Sequence, residues 1–449
     1  MEKISILTGS HLCHNPRVLK EAAALAGAGY DVEVLGGWID PALKVRDQEL
    51  MAKINFRFRP LHDLTEQKIL RHWLRLRGRL ANLIHAKSGY ETHWQLGYFV
   101  SALTKAARQS KADLLIAHSE PALYAVSQLQ KQKAESGKQK TSAETPNTEI
   151  LKTEDPSQFR LSAFNFQNFR IGIDMEDWFS EDLPLEARQH RPIKLLRSLE
   201  RGALKWREHA TCTSRAMSEA LATEYGCSPP AVIYNAFPWS DRAYLDGQFK
   251  DRKNRALPSV HWYSQTLGAG RGLENLFAAL SHVKCEFEIH LRGKPVAGFE
   301  NWLAAHVPEK WRPRIFIHGL VSNGELLSRI AEHDVGFAGE QKEVSRSRNL
   351  TVTNKILHYL LGGLAVVASD TVGQKEVAAS VNGAIRIFRS GDSASLANEL
   401  NALLASPELL RTSKAAALIG AKNVFCWERQ VPVLVESIRV ALQQTSPHQ

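Results

Sequence analysis

Residues 353–370 (TNKILHYLLGGLAVVASD) bring together polar groups that could bind a phosphate and apolar residues that could position them. Asn354 and Lys355 open a predicted helix, and His358 follows Asn354 by one turn. The first turn of a helix offers free backbone N–H groups and the positive end of the helix dipole, and both favour an anion. Thr353 suits the N-cap of this helix. The segment therefore predicts an anion site at the start of a short helix.

The spacing of apolar residues defines the two elements that carry these groups. A helical stripe precedes two glycines that suit the helix exit, and an all-apolar run then continues as a strand. The stripe consists of Ile356, Leu357, Leu360 and Leu361, the exit of Gly362 and Gly363, and the strand of residues 364–368. The polar groups are thus predicted to lie on a short helix that runs into a buried strand.

This segment resembles the donor-binding helix of the GT-B glycosyltransferases, in particular glycosyltransferase family 4. The matching residues are Asn354, Lys355, Tyr359, Gly363, Val366, Val367, Ala368, Ser369 and Asp370. His358 stands where the family has glutamate, and Ala365 where it has proline. The resemblance covers nearly the whole chain and implies an α/β fold of the GT-B type, with two Rossmann-like domains facing each other across a cleft. It also implies metal-independent sugar transfer from a nucleoside-diphosphate donor, with retention of the anomeric configuration and no cofactor beyond that donor.

Two series of predicted strands support this two-domain organisation. The first forty residues read as strand, loop, helix and strand, and a second α/β series follows a boundary expected between Pro238 and Lys253. Residues 1–240 are predicted as an N-terminal acceptor-binding domain, and residues 241–426 as a C-terminal nucleotide-sugar-binding domain. Residues 427–449 are predicted as a last helix, which in the resembling family crosses back to the first domain.

One segment of the first domain does not fit the strand and helix pattern. Residues from Lys131 to Glu154 are rich in Lys, Gln, Glu, Ser and Thr and contain almost no large apolar residue. Because such a segment cannot bury a core, we predict a flexible surface insertion over residues 131–165.

Composition and cysteine spacing narrow the class of protein further. The 449 residues, of which 44% are hydrophobic and 23% charged, are typical of a soluble protein with two cores. No apolar run approaches the length that spans a bilayer, and the five cysteines lie far apart without metal-binding or paired redox spacing. These features predict a cytoplasmic, reduced protein without a metal site.

Part of the net charge of +10 is concentrated in residues 68–87, a predicted helix without an acidic residue. Its basic and apolar residues separate onto two sides, with Lys68, Arg71, Arg75 and Arg79 on one and Ile69, Trp73, Leu76, Leu80 and Leu83 on the other. One interpretation is a surface helix whose apolar stripe lies in the core. The other is peripheral docking on anionic lipid headgroups at the inner face of the cell membrane. Nucleic acid is a poorer fit, because the basic residues are not interleaved with aromatic ones in a binding motif.

Sugar transfer requires stabilisation of the departing diphosphate, which GT-B enzymes achieve with cationic side chains and helix N-termini. Preorganised charge of this kind lowers the barrier by about 3–4 kcal/mol for one donor group. Gly268 belongs to a glycine-rich loop before Arg271, where a backbone can approach a phosphate closely. Arg271 stands where the family has the lysine of a Lys-Gly pair, although Thr266 replaces an arginine of the family. The resemblance implies that Arg271 and Lys355 hold the diphosphate; the alternative is a glycine-rich turn with a surface arginine.

The resemblance also implies that His358 and Asn354 bind the nucleoside or the sugar. Histidine can replace the family glutamate that hydrogen-bonds the donor ribose, with a changed charge and pH response. A second family glutamate, near the donor sugar, is replaced by Leu350. Glu340 and Glu343 lie upstream, and either could substitute if the loop is rearranged. We take Glu340 as the candidate catalytic residue.

Three residues near the first strand are predicted to bind the acceptor. Gly9 and His11 lie in the loop after that strand, and Arg17 lies at the start of the next helix. His11 and Arg17 are expected to face the interdomain cleft. His118 ends a later strand, as a histidine does in many family members, and is a candidate catalytic residue. The carboxyl ends of strands are where open α/β sheets bind ligands, but a structural role for His118 is the alternative.

Acidic residues follow the strand RIGID. Asp174 is a candidate catalytic residue, and Glu176 and Asp177 are candidates for acceptor binding. They correspond to a family segment of Asp, any residue, His, and Asp or Glu, with Glu176 replacing the histidine. Carboxylates at a strand end could activate or orient an acceptor hydroxyl. The alternative is that they are surface acids paired with Arg188 or Arg191.

These residues together favour a glycosyltransferase whose acceptor is a saccharide or a lipid-linked saccharide in polysaccharide or glycoconjugate biosynthesis. Two other functions stay open. The loss of the family glutamate pair would suit a non-catalytic GT-B-shaped binding or partner subunit, and a nucleotide-sugar epimerase would share the same shape.

Overall fold

The computed structural model describes residues 1–142, 169–253 and 255–443. In this part of the chain the first domain has seven strands: β1 (Lys3–Leu7), β2 (Asp31–Trp38), β3 (Arg57–Asp63), β4 (Leu114–Ala117), β5 (Arg170–Met175), β6 (His209–Cys212) and β7 (Ala231–Val232). They form one parallel sheet in the order β3-β2-β1-β4-β5-β6-β7. The covering helices are α1 (Pro16–Gly27), α2 (Pro41–Met51), α3 (Lys68–Ser88), α4 (Val100–Gln109), α5 (Glu120–Ser142), α6 (Leu185–Arg188), α7 (Ile193–Lys205) and α8 (Arg215–Tyr225).

The second domain repeats this arrangement. Its described strands are β8 (Ser259–Leu267), β9 (Glu288–Pro295), β10 (Ile315–His318), β11 (Val335–Ala338), β12 (Ala365–Ser369) and β13 (Ile385–Phe388), in the parallel order β10-β9-β8-β11-β12-β13. The helices are α9 (Leu273–Ala279), α10 (Phe299–His306), α11 (Asn323–Ala331), α12 (Arg346–Leu350), α13 (Asn354–Gly362), α14 (Val372–Ser380), α15 (Ser393–Leu404), α16 (Pro407–Asn423) and α17 (Trp427–Gln443). Short 3-10 helices span Leu12–His14, His93–Leu96, Phe179–Glu181, Trp239–Tyr244 and Glu309–Arg314.

The apolar strands explain why both sheets are parallel. Every residue of β4 and of β12 is buried, because helices cover both faces of each sheet. A strand that is apolar on both faces suits such a three-layer arrangement better than a sheet with one wet face. The predicted fold class, two Rossmann-like α/β domains, is confirmed.

The last helix, α17, belongs to the core of the first domain. Its residues Trp427, Leu434 and Ile438 are buried in one cluster with Ile4 and Val18 of the first strand and helix. The backbone N–H of Trp427 donates to the carbonyl of Phe237, 2.9 Å away, where the chain leaves the first domain. The chain therefore crosses between the domains twice at one place.

The carboxyl ends of the two sheets face each other. Trp178 follows β5, and its backbone N–H donates to the Ser347 hydroxyl of α12, 3.1 Å away. Ser214 follows β6, and its hydroxyl donates to the Leu350 carbonyl at 2.6 Å. Since α12 itself follows β11, loops at the carboxyl ends of both sheets are in contact, and the cleft lies between them.

The start of the predicted insertion is helical. Helix α5 continues past Lys131 to Ser142, into the segment that composition predicts to be flexible. Alanine, lysine and glutamine are good helix formers, so a segment without core residues can extend an existing helix. Residues 143–165 of the predicted insertion lie outside the described residues, as do residues 444–449 of the predicted last helix.

The orientation of α3 contradicts the interpretation that its apolar stripe lies in the core. The predicted stripe of Ile69, Trp73, Leu76, Leu80 and Leu83 is 49–87% exposed. The face that packs on the domain instead carries Leu74, Arg77 and Ala81. The helix has apolar residues on two faces, and only one of them reaches the core, so the core-stripe interpretation is wrong. None of the helices in the described part of the chain combines the length and apolarity required to span a membrane.

Candidate active site

The first turn of α13 opens toward the cleft. Asn354 is exposed, whereas residues 356–362 are all buried against the sheet. Gly363 ends the helix with a φ of 78°, a conformation that favours glycine. The tight packing also fixes Gly336 of β11, where an added Cβ would lie 2.2 Å from the ring of Tyr359. The helix is therefore held rigidly by its buried face, and its first residue, Asn354, is exposed.

Lys355 and Glu340 form an ion pair at this N-terminus. Lys355 Nζ lies 2.8 Å from Glu340 Oε1, and the Thr353 hydroxyl lies 3.4 Å from the same oxygen. Burial alone would raise the pKa of Glu340, but Lys355 and Arg348 bring it below its usual value. Glu340 therefore stays ionised at neutral pH and holds the lysine at the edge of the cleft. The structure thus brings together two residues that the sequence proposed separately.

The glycine-rich loop after β8 packs directly against the residue before Glu340. Gly272 has a φ of 83°, and an added Cβ would lie 1.8 Å from the Gly339 carbonyl oxygen. Gly268 is buried in the same loop, while Arg271 is exposed and donates to the Ser264 hydroxyl at 3.2 Å. No carboxylate in residues 1–142, 169–253 or 255–443 forms an ion pair with Arg271. An unpaired cation therefore lies beside the Lys355–Glu340 pair.

His358 is enclosed rather than open. Its ring stacks on Phe237 with a centroid distance of 3.9 Å, and its Nδ1 lies 3.1 Å from the Tyr263 hydroxyl. Burial lowers its pKa to about 3, and Lys20 contributes to that shift, so the ring is neutral. Nε2 makes no hydrogen bond to a described residue and is the ring atom left for a ligand. Contact between His358 and a donor ribose stays a prediction.

Asp174 is the centre of a buried charge cluster in the first domain. Arg17 Nε and Nη2 donate to its carboxylate at 2.8–3.0 Å, and the Thr211 hydroxyl donates at 2.7 Å. His118 Nε2 lies 2.6 Å from Glu21 in the same cluster. Burial would raise the pKa of Asp174, but Arg17 and His118 lower it to about 2. Asp174 is therefore an ionised, internally satisfied group.

Glu21, His118 and Asp174 are also the one described group of three side chains close enough to share a metal ion, with their ligand atoms within 4.8 Å of one another. Arg17 already supplies the positive charge there, through its contacts with Asp174. The Arg17 guanidinium is 1% exposed, so this positive charge is a fixed part of the domain interior. The residues present fit an internal ion cluster better than a metal site.

Two candidates for acceptor binding differ from expectation in where they point. Arg17 and His11 are 1% and 3% exposed, so neither presents an open side chain to the cleft. His11 Nδ1 lies 2.9 Å from Asp47, and its Nε2 accepts from the backbone N–H groups of Ile39 and Asp40. Both side chains therefore hold the first domain together in this structure.

Gly9 has a packing reason of its own. An added Cβ would lie 2.6 Å from the ring of Pro121, in the first turn of α5, which follows β4. A side chain there would push the loop after β1 away from α5. Gly9 thus keeps the carboxyl edge of the first sheet compact, and its contact with an acceptor stays a prediction.

Glu176 and Asp177 are half-buried at the carboxyl end of β5, beside the cleft. Burial raises the pKa of Asp177 to about 7, and the nearby Asp182 and Glu176 add to that shift. A carboxyl that titrates near neutral pH suits a general base. The alternative that these acids pair with Arg188 or Arg191 is wrong, because those arginines pair with Glu181 and Glu120.

Two residues between the domains, Lys20 and Tyr263, were not predicted from the sequence. Lys20 Nζ donates to the Asn235 side chain at 2.7 Å, and burial together with Arg17 lowers its pKa to about 7. Tyr263 lies between His358 and the ring of Tyr359. The alternation of side chains along β8 places Tyr263 on the face that α13 covers. This alternation could have predicted the position of Tyr263 from the sequence. No motif marks Lys20.

The two facing sheets and the loops between them define a GT-B fold. No family model matches the sequence, and no curated protein matches it significantly. Solved structures do match over nearly the whole chain. Sucrose-phosphate synthase from Thermosynechococcus elongatus is similar with a TM-score of 0.63 at 15% identity, covering 98% of each chain.

Two further structures share this architecture. HepE from Anabaena, solved with UDP and glucose, has a TM-score of 0.63 at 16% identity and covers 98% of this chain and 100% of its own. A protein assigned as a UDP-N-acetylglucosamine 2-epimerase from Listeria monocytogenes has a TM-score of 0.53 at 10% identity, over 99% of this chain and 97% of its own. At these identities the likeness establishes the fold.

Proposed function

We propose that the protein is a glycosyltransferase that moves a sugar from a nucleoside-diphosphate donor to a saccharide or lipid-linked acceptor. The observation that carries this proposal is the cationic site at the carboxyl edge of the second sheet, where exposed Arg271 lies beside the Lys355–Glu340 pair. A diphosphate needs such a site, because charge builds up on it as the sugar departs. HepE, with the same fold, was solved with UDP-glucose.

In this proposal each domain supplies one half of the chemistry. Arg271, Lys355 and the N–H groups of the first turn of α13 bind the diphosphate without a required metal ion. Asn354 and His358 bind the nucleoside or the sugar, and Glu340 orients Lys355. Across the cleft, Asp177 orients the acceptor hydroxyl by accepting a hydrogen bond from it. Retention of configuration and membership of glycosyltransferase family 4 are part of this proposal, on the strength of the sequence resemblance.

The proposal predicts nucleotide binding that depends on Arg271. We expect one nucleoside diphosphate of a panel to raise the melting temperature without added metal, since binding stabilises by about 2.7 kcal/mol at a hundredfold excess over the dissociation constant. Arg271→Ala should remove most of the shift, whereas Arg411→Ala, a surface change on α16 that is 77% exposed, should keep it. Equal shifts in both variants would contradict the assignment of Arg271.

The same experiment separates the other functions. A nucleotide shift followed by no sugar transfer to any acceptor would favour a non-catalytic binding subunit. Conversion of a UDP-sugar without an acceptor would favour an epimerase, a function supported by the similarity to the Listeria protein.

We also propose that α3 docks the protein peripherally on an anionic membrane surface. The observation that carries this is the exposed apolar stripe of α3 with basic residues along its flank; Ile69 is 87% and Leu76 is 65% exposed. An amphipathic helix of this type lies in the interface with its apolar side down. Each basic residue near such a surface contributes about 1 kcal/mol.

This docking predicts co-sedimentation with phosphatidylcholine vesicles that contain phosphatidylglycerol, and weaker binding at high salt. We expect the double change Trp73→Ser and Leu76→Ser to abolish the binding, because it removes apolar contact with the membrane. Leu185→Ser on α6, where the leucine is 72% exposed, is the matched control and should bind as wild type does. Unchanged sedimentation of the double variant would refute docking through α3.

A further inference from the structure

A cavity of about 390 Å³ lies in the first domain between the 3-10 helix His93–Leu96, α4 and α5. Its volume falls within the range of sites that bind small molecules. The residues that line it are His93, Ser101, Thr104, Lys105, Arg108, Gln109, Tyr124 and Gln128. None of them belongs to the candidate active site, so the cavity lies outside that site.

The charge of this cavity is positive and uncompensated. Lys105 and Arg108 line it, and its wall contains no acidic residue. Among the residues that the structure describes, no carboxylate forms an ion pair with Lys105, with Arg108 or with the nearby Arg77. Unpaired cations around a concave surface attract an anion, and arginine is particularly suited to phosphate.

The remaining wall offers neutral hydrogen-bonding groups and an aromatic surface. His93 and Tyr124 stack with their ring centroids 4.7 Å apart and their planes at 9°. Burial lowers the pKa of His93, and the charge of Arg77 adds to that shift, so the ring is neutral. Hydroxyl and amide groups of Ser101, Thr104 and Gln128 complete the lining. This combination suits a phosphate that carries a polar, hydroxylated group.

Arg77 connects the cavity to α3. Its Nη1 donates to the Ser101 hydroxyl in the cavity wall at 3.1 Å. Its guanidinium lies 5.3 Å from the ring centroid of Trp73, which belongs to the exposed stripe, and 5.7 Å from that of Trp94. Arg77 itself is 8% exposed. The cavity therefore adjoins the surface that faces the membrane in the proposed docking.

We propose that this cavity binds the phosphate-bearing headgroup of an anionic membrane lipid. The proposal deepens the proposed membrane docking and rests on it for the source of the ligand. Docking through α3 supplies apolar contact and general attraction, whereas Arg108, Lys105 and the Ser101 hydroxyl, which accepts from Arg77 and keeps its own proton to donate, recognise one phosphate. The headgroup would then fix the orientation of the first domain on the membrane.

The test uses dihexanoyl phosphatidylglycerol, a soluble short-chain lipid whose phosphate carries a hydroxylated group, and inorganic phosphate as probes in calorimetric titrations of the full chain. We expect the short-chain lipid to bind and Arg108→Gln to weaken it by about tenfold or more, the loss expected for one charge-assisted hydrogen bond. Lys111→Gln is the matched control, since Lys111 is an exposed cation close to α4 outside the cavity wall, and its affinity should equal that of wild type.

Two comparisons separate the cavity from the docking helix. The Trp73→Ser and Leu76→Ser variant should lose vesicle binding but keep its affinity for the short-chain lipid. Arg108→Gln should keep vesicle binding but bind the short-chain lipid more weakly. Equal affinity for inorganic phosphate and for the lipid would overturn the lipid assignment in favour of a free anion. Absence of binding by both probes, or an unchanged affinity in Arg108→Gln, would overturn the site itself.

Discussion

Replacement of Lys355 by alanine is expected to lower the rate of sugar transfer by about 10²–10³-fold, the loss found when one group that stabilises a developing negative charge is removed. Lys355 is the cation on the first turn of α13, and its Nζ is fixed 2.8 Å from Glu340. The change removes positive charge where the diphosphate is proposed to leave. Steady-state rates with the donor identified in the nucleotide panel measure the effect.

Lys342→Ala is the matched control for this experiment. Lys342 Nζ also pairs with an acid, Asp370, at 2.8 Å. Like Glu340, Lys342 follows strand β11, but it lies outside the first turn of α13. We expect its rate to stay within a few-fold of wild type. The rate of Glu340→Gln should fall between those of the two variants. This change keeps the charge of Lys355 but removes the carboxylate that fixes its position. A Lys355→Ala enzyme as fast as wild type would remove Lys355 from the mechanism.

Replacement of Arg17 by methionine is expected to destabilise the protein by about 3–5 kcal/mol at pH 7, the usual loss when one partner of a buried ion pair is removed. Asp174, 2% exposed, would keep its charge without its guanidinium partner. The free energy of unfolding in urea measures this loss. Arg46→Ala, an exposed change in the same domain, should leave stability unchanged.

The deficit should also depend on pH. In wild type the pKa of Asp174 is lowered from 3.8 to about 2, so the pair stabilises the fold above pH 3.8 and this contribution is lost as pH falls toward 2. In Arg17→Met, burial raises the pKa of Asp174, and the carboxyl takes up a proton earlier. The difference between the two proteins should therefore shrink as pH falls.

The double change Arg17→Met and Asp174→Leu should recover part of the loss, because no buried charge then remains unpaired. A single variant that is as stable as wild type but fails to bind acceptor would contradict this structural role. It would support the acceptor-binding role that the sequence suggested for Arg17.

Short-range patterns predicted the fold because they report burial on both faces of a strand. The apolar runs at β4 and β12 required helices on both sides of a parallel sheet, and the polar residues after each strand marked the edge where the cleft lies. The same patterns could not give the rotation of a helix about its axis. Arg17 opens α1 and looks exposed in sequence, but it points inward because Asp174, far along the chain, lies beneath it.

For the candidate site, the sequence proposed Glu340 and Lys355 separately and gave no sign of their contact. Their pairing depends on how the loop after β11 folds back onto α13. For α3, periodicity identified a broad apolar surface but could not decide which part of it meets the core. Leu74 and Ala81 do, and the more conspicuous stripe with Trp73 remains outside.

The return of α17 to the first domain has a consequence for biosynthesis. Trp427, Leu434 and Ile438 complete a core that begins with Ile4 of β1, so the first domain lacks part of its interior until α17 has left the ribosome. Domains commonly fold in order of synthesis, N-terminal first. Here the second domain, residues 259–423, can acquire its sheet while the first still waits for its last helix. The order of translation and the order of completion are therefore reversed.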